Sequence, residues 1–251
     1  MVEHQLTCNY TNLDRFATLN LHALEFVSTR ELYHCTWRAR TSARKKHCLL
    51  EAEERCKKLP LRFVKTIRLS ALSVVGLMET LPCLKLVYLI RDPRGSYYSK
   101  QKMFQLHGIN VTFDAERFCS RLDKDVDAIY QLKDKYPSRV MITRFETIAT
   151  HPIASCEKIY EFIGLEFTTN ISMFVYQKTH SQKGGQGYST DRSNATEACY
   201  KWREQIPYKH VQLFDNFCWE PFLKLGYLPV KSAKDLRNMN ISLISETKHL
   251  S

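Results

Sequence analysis

The first 75 residues contain no glycine, and the whole 251-residue chain has only eight. A loop that wraps backbone N–H groups around a phosphate normally uses glycine for close approach, so none is expected before Gly76. No run of 18 apolar residues and no leader-like segment is present, so nothing in the sequence accounts for a membrane span or for secretion. The nine cysteines never fall as Cys-x-x-Cys, which argues against a structural zinc site and a thioredoxin-type centre; no metal is expected. Acidic residues are the scarcer charge, 26 against 37 Lys and Arg, for a net +11. That excess favours an anionic partner: a nucleic acid, a membrane surface, a nucleotide or an acidic glycan. Nucleic acid fits little beyond the charge. The basic clusters Arg38 to Lys46 and Arg55 to Lys58 are short, and no zinc-finger spacing, RNA-recognition signature or zipper heptad follows them.

What is present suits one sizeable α/β domain, with 44% hydrophobic and 12% aromatic residues. Asn-x-Ser/Thr sequons stand at Asn9, Asn110, Asn170, Asn194 and Asn240, five of nine asparagines where roughly one is expected by chance. With nine cysteines they point to the secretory lumen, and the odd count leaves at least one thiol free or joined to another chain. Since nothing in the sequence explains entry into the lumen, the front of the protein is expected to be missing.

Three segments are expected: a Cys-rich, basic segment over 1–59, a domain over 60–230 and a polar surface tail over 231–251. The spacing of Leu49, Ala52, Cys56 and Leu59 predicts a helix from Cys48 to Leu59. Phe63 to Leu69 reads as a strand and Ala71 to Leu81 as a modest helix. Leu84 to Ile90 is nearly continuous in apolar residues, as buried parallel strands are. It ends at Arg91-Asp92-Pro93, where Asp can cap a helix and Pro suits its first turn. A long helix over Ala115–Tyr136, a strand over Arg139–Phe145 and a helix over Pro152–Ile163 stopped by Gly164 follow. A Gly- and Ser-rich loop spans Lys183–Asn194, and helices are expected over Thr196–Gln205 and Tyr208–Leu225. Strands alternating with helices imply a parallel sheet with helices on both faces.

The chemistry concentrates in LKLVYLIRDPRGSYYSK, residues 84–100. A buried strand delivers Arg91 at its carboxyl end, where open α/β sheets bind ligands. Ser99 follows eight residues later on the next helix. A guanidinium fork, a hydroxyl and a helix amino terminus together make a plausible anion site, although a surface arginine in a salt bridge would satisfy the same pattern.

RDPRGSYYS resembles the 3′-phosphate-binding segment of Golgi galactose, N-acetylglucosamine and N-acetylgalactosamine 6-O-sulfotransferases. Further segments match in order: Lys65-Thr66-Ile67-Arg68-Leu69; Thr143-Arg144-Phe145-Glu146-Thr147-Ile148 with Pro152 and Ile159 to Gly164; and Tyr188 to Ser193 with Trp202-Arg203 and Leu225-Gly226-Tyr227. The resemblance covers about residues 60–230. It implies a three-layer, P-loop-NTPase-like sulfotransferase fold around a central parallel sheet. The expected donor is 3′-phosphoadenylyl sulfate (PAPS) and the acceptor a sugar hydroxyl, in particular the 6-OH of galactose or an N-acetylhexosamine on a glycan or glycosaminoglycan. The address is the Golgi lumen, with membrane attachment only through an anchor outside this sequence. Arg91 and Ser99 would hold the 3′-phosphate with Arg94 close by, Phe145 would stack on the adenine, and Arg192 would be a second phosphate contact. Lys65 is the candidate catalytic cation.

Two substitutions and one absence depart from the family pattern. Phe145 stands in place of tyrosine and Thr147 in place of aspartate. Nothing before residue 60 resembles the family's glycine-bearing phosphosulfate loop, so that loop and the first strand are expected to be missing and the 251 residues alone to be inactive. Ile67 stands where cytosolic relatives place a histidine, so no general base is named. The rival readings are a non-catalytic lumenal glycan- or partner-binding protein on this fold, and a basic nucleic-acid-binding protein, which the sequons oppose.

Overall fold

The computed structural model describes residues 2–12, 30–67, 69–106, 108, 114–182 and 191–247. The chain divides into two compact units, Met1–Leu69 and Ser70–Ser251.

The first unit is helical. α1 (Val2–Leu6) and a short 3-10 turn at Tyr10–Asn12 lead the chain, and α2 (Arg30–Arg38) and α3 (Ser42–Lys57) form a helical hairpin. The α3 helix starts six residues before the expected Cys48 because Thr41 caps it, its side chain accepting from the Arg44 N–H. Leu32, Ala39, Cys48 and Ala52 form the core of the hairpin. Two disulfides brace it, Cys35–Cys48 between the helices and Cys8–Cys56 to the leading segment. Buried Glu53 accepts from the backbone N–H and the hydroxyl of Thr11, at 2.7 and 2.8 Å. Burial raises its pKa, but these bonds outweigh that and hold the carboxyl below its ordinary value.

The strand expected over Phe63–Leu69 does not form in the described residues there. An apolar, β-branched run has the propensity, but a strand also needs a ladder, and none pairs with it among the described residues. Phe63 and Ile67 are instead 82% and 80% exposed. Arg68 lies outside the described residues.

The second unit is α/β. A 3-10 turn at Ala71–Val74 and α4 (Val75–Thr80) precede β1 (Leu86–Ile90); α5 (Pro93–Leu106) and α6 (Ala115–Lys135) lead to β2 (Val140–Arg144). Among the described residues the two strands form one parallel sheet, in register from Leu86↔Val140 to Ile90↔Arg144. β2 is buried throughout, and β1 is half-buried with Leu89 exposed. On α6, Ala115, Cys119, Val126, Ile129 and Leu132 recur at helical spacing and form its buried face.

After β2 come α7 (Phe145–Thr150), α8 (Pro152–Ile163) and α9 (Thr169–Thr179). α8 stops as expected at Gly164, whose φ is 80°. Each of the two helices expected near the end is divided. Thr196–Gln205 becomes α10 (Ala195–Tyr200) and α11 (Trp202–Gln205), and Tyr208–Leu225 becomes α12 (Tyr208–Phe217) and α13 (Trp219–Leu225). The second division falls at Cys218, which is disulfide-bonded to Cys119 on α6. Cys83, Cys156 and Cys199 remain free.

The expected polar surface tail, described as far as residue 247, is mostly exposed but is anchored to the fold. Ser232 caps α14 (Ala233–Arg237), Leu236 and Leu243 are buried, and Ile244 bridges antiparallel to Tyr227. Buried Arg203 fastens this segment. Its guanidinium donates to the carbonyls of Leu236, Ile241, Asp235 and Asn238 at 2.8–3.1 Å. Few apolar residues are needed to hold a segment when one buried fork satisfies four of its carbonyls.

Candidate functional site

The strand register sets the site. Ile90 lies beside Arg144, so the next residues, Arg91 and Phe145, leave the carboxyl ends of the two parallel strands together. The Arg91 guanidinium carbon stands 4.6 Å from the centroid of the Phe145 ring. The Arg91 Nε is buried and has no hydrogen-bond partner among the described residues. A buried cationic donor without an acceptor costs free energy, which an external acceptor would offset.

Below Arg91 lies a fully bonded network. Asp92 caps α5 as expected, its Oδ1 accepting from the Arg94 N–H at 2.9 Å. The Asp92 N–H donates to Glu146 Oε1 at 2.9 Å, tying the strand end to α7, and the Tyr227 hydroxyl donates to Glu146 Oε2 at 3.1 Å. Arg94 is 0% exposed; its guanidinium donates to both Asp92 oxygens, to Asp215 and to the Leu228 carbonyl. Every guanidinium nitrogen of Arg94 is thus engaged inside the fold. Its expected place beside a bound phosphate gives way to a structural one, because two carboxylates and a carbonyl already take its fork. Burial works against the Arg94 charge, but the two aspartates more than offset it and hold its pKa above the ordinary value.

Burial and the neighbouring Asp92 raise the pKa of Glu146. The Cys199 thiol of α10 is pushed up to about 12 by burial and by Glu146, against the opposing pull of Arg91. Cys199 is also fully buried, the setting of a structural thiol.

The remaining sequence candidates are placed as follows. Ser99 lies exposed on α5. The Arg192 N–H donates to the Lys178 carbonyl and its own carbonyl accepts from Ser181 N–H, which pins the end of the Gly-rich loop to α9. Its guanidinium donates to the Asp191 carbonyl at 2.7 Å. Residues 183–190 of that loop, including Tyr188-Ser189-Thr190, lie outside the described residues. Lys65 is exposed in the first unit, in irregular backbone. Glu146, Asp215 and Tyr227 drew no role from the sequence. Glu146 and Tyr227 stood inside matched segments, whereas nothing distinguished Asp215 from any helical aspartate. Among the described residues, no group of three His, Cys, Asp or Glu side chains could hold a metal ion, and no helix is long and apolar enough to cross a membrane.

Residues 7–169 match the profile of the Sulfotransferase family. The chain belongs to that family. It is similar to carbohydrate sulfotransferase 1 of Mus musculus, 29% identical over 217 residues that cover 78% of this chain and 52% of the relative. It is also similar to carbohydrate sulfotransferase 4 of Mus musculus, 26% identical over 230 residues (80% and 59%), and to carbohydrate sulfotransferase 6 of Homo sapiens, 26% identical over 215 residues (77% and 54%). The chain thus spans about half the length of the curated relatives it matches. No solved structure matches it significantly.

Proposed function

We propose that this sulfotransferase-family chain binds PAPS at the carboxyl ends of β1 and β2. Its sulfuryl group would go to a sugar hydroxyl, the 6-OH of galactose or an N-acetylhexosamine, on a glycan in the Golgi lumen. The observation that carries the reading is the guanidinium of Arg91 over the Phe145 ring, with its buried Nε lacking a partner among the described residues. Arg91 receives the 3′-phosphate as a charge-assisted fork, with the Ser99 hydroxyl and the amino terminus of α5 as further donors. Phe145 supplies the aromatic surface for the adenine. Arg192 is a second cation for the phosphate. In the transfer itself the bond from sulfur to the phosphate oxygen breaks, the bond from sulfur to the sugar oxygen forms, and the sugar proton leaves to a base. Such displacements are accelerated mainly by positioned cations and donors.

Titration calorimetry with adenosine 3′,5′-bisphosphate tests the site. A charge-assisted bond contributes about 1.5–3 kcal/mol and a neutral one roughly 1. Arg91→Ala should therefore weaken binding at least about tenfold, and Ser99→Ala about fivefold. Unchanged affinity in both folded variants would remove the site. In a version that carries the family's phosphosulfate loop, nucleotide binding without transfer of radiolabelled sulfate to keratan- or chondroitin-type acceptors would replace the enzymatic reading with that of a non-catalytic lumenal glycan-binding protein.

A further inference from the structure

A cavity of about 300 Å³ lies at the joint of β2, α7 and α8, apart from the nucleotide site. It opens between Met141 and Thr143 of β2, Thr147 of α7, and His151, Ala154 and Lys158 at the start of α8. Neither Arg91 nor Phe145 is on its wall. Met141 and Thr143 stand two residues apart and so share one face of the strand.

The buried hydroxyl of Thr143 sets the chemistry. Thr143 is 2% exposed, and its side chain makes no hydrogen bond among the described residues. A hydroxyl taken from water without a partner costs free energy, and an acceptor inside the cavity would offset that cost. Other donors converge on the same space. His151 holds its Nδ1 against the Thr150 hydroxyl at 3.0 Å, which leaves Nε2 for a ligand. α8 begins without a side-chain cap, Pro152 has no N–H, and the N–H groups of Ile153 and Ala154 have no acceptor among the described residues. The Ser155 hydroxyl, also on the wall, is engaged with the Thr147 carbonyl at 3.2 Å.

Charge on the wall has one sign. Lys158 is exposed, and with His151 it is the only ionisable side chain there; no Asp or Glu lines the cavity. Thr147 stands where the family pattern has aspartate. A carboxylate at that place would repel an anion, whereas threonine offers a hydroxyl donor.

We infer that this cavity binds a small oxyanion, a phosphate or sulfate group. Lys158, His151, the hydroxyls of Thr143 and Thr147 and the opening N–H groups of α8 receive its oxygens. The volume is at the lower end of small-molecule sites, about 300–1,000 Å³. It has room for the anion and a short carbon substituent against Met141 and Ala154. The site is a separate claim from the nucleotide site and needs no sulfate donor.

The test uses the whole chain labelled at histidine, with the His151 imidazole followed by NMR and assigned through His151→Gln. Inorganic phosphate, inorganic sulfate and phenyl phosphate are the probes, at fixed pH and ionic strength. Phosphate and sulfate should shift the His151 resonances saturably, and chloride should not. Tighter binding of phenyl phosphate than of inorganic phosphate would identify the head group of a small ester as the ligand, and equal binding the free ion. Lys158→Ala should weaken phosphate binding at least about tenfold and Thr143→Val about fivefold. Thr147→Asp should abolish it. Valine has nearly the shape of threonine, so Thr143→Val should not lower the Tm in anion-free buffer. A lowered Tm would show that the hydroxyl serves the fold and overturn its role here. Arg91→Ala should leave the His151 response intact, and Lys158→Ala should leave adenosine 3′,5′-bisphosphate affinity intact. Loss of the His151 response in Arg91→Ala would assign the ion to the nucleotide site and sink the inference. A wild type that shows no response, or equal affinity in wild type, Lys158→Ala and Thr143→Val, would leave only a water-filled cavity. Either result would leave the nucleotide-site reading standing.

Discussion

The indole of Trp202 occupies the space where a side chain on Gly95 would stand. A β-carbon built on Gly95 would lie 2.7 Å from Trp202 Cδ1 and 2.8 Å from its Nε1. The glycine of the RDPRGSYYS segment is therefore a packing requirement, joining α5 to α11. Gly95→Ala should favour the helix by up to about 1 kcal/mol. The rigid indole cannot yield several tenths of an ångström without moving α11, and overpacking of that kind costs roughly 1–3 kcal/mol. The second effect should win, and thermal unfolding should show a lower Tm for the variant. An unchanged or raised Tm would mean that the indole has room to move.

Arg203, the neighbour of Trp202, holds the carboxyl-terminal segment by four carbonyl bonds. Arg203→Lys keeps the charge but offers one nitrogen in place of a fork, leaving buried carbonyls without donors. At about 1 kcal/mol or more for each unsatisfied group, the loss should reach several kcal/mol. Limited proteolysis is the sharper readout. The variant should be cut within 231–247 while the remainder of the second unit stays resistant. Equal resistance of that segment in variant and wild type would refute the anchoring role.

Two arginines three residues apart should behave oppositely. Arg91 carries a donor with no partner among the described residues, whereas Arg94 sits wholly buried between Asp92 and Asp215. Arg94→Met would strand two carboxylates in the interior, at a cost of about 3–5 kcal/mol. The expected result is poor secretion and a sharply lowered Tm. Arg91→Ala should leave Tm nearly unchanged and lose nucleotide affinity. A well-folded Arg94→Met with weakened nucleotide binding would reverse the assignment of the two.

Sequence patterns located β1, β2, α6 and α8 to within a few residues because each is a continuous apolar or periodic run with a stop signal of its own. The Arg91 and Phe145 pair was legible through the motif, and the register of the two strands explains why it meets. Arg94 was not, because an arginine beside a phosphate and an arginine between two aspartates look alike in one dimension. Asp215 lies 121 residues from Arg94, and no local pattern announces such a contact. The Phe63–Leu69 run has strand-forming residues, but pairing depends on neighbours that sequence propensity does not specify. The 231–247 segment hid its anchoring in two leucines and in carbonyl bonds to one arginine.

Glu146 gives a pH signature. Its carboxyl is buried between the Asp92 N–H and the Tyr227 hydroxyl, with the Asp92 charge close by. Burial first, and Asp92 second, raise its folded pKa above its ordinary value. The folded protein therefore binds this proton more tightly than the unfolded chain does. The stability this contributes is fully present below the unfolded pKa and is lost as pH rises through the folded one. Asp215 is raised too, chiefly by burial, so wild-type stability alone would mix the two groups. Comparison with Glu146→Gln separates them. Glutamine keeps an acceptor for the Asp92 N–H, and its amide can donate to the Tyr227 oxygen, so it mimics the protonated carboxyl. At about pH 4 the two proteins should melt nearly together. Towards about pH 7 the wild type bears the cost of a buried carboxylate and the variant does not, so the Tm of the variant should exceed that of wild type by a growing margin. A flat margin would mean that Glu146 ionises at its ordinary pKa, and a margin that shrinks as pH rises would mean that the fold lowers that pKa; either outcome refutes the raised value.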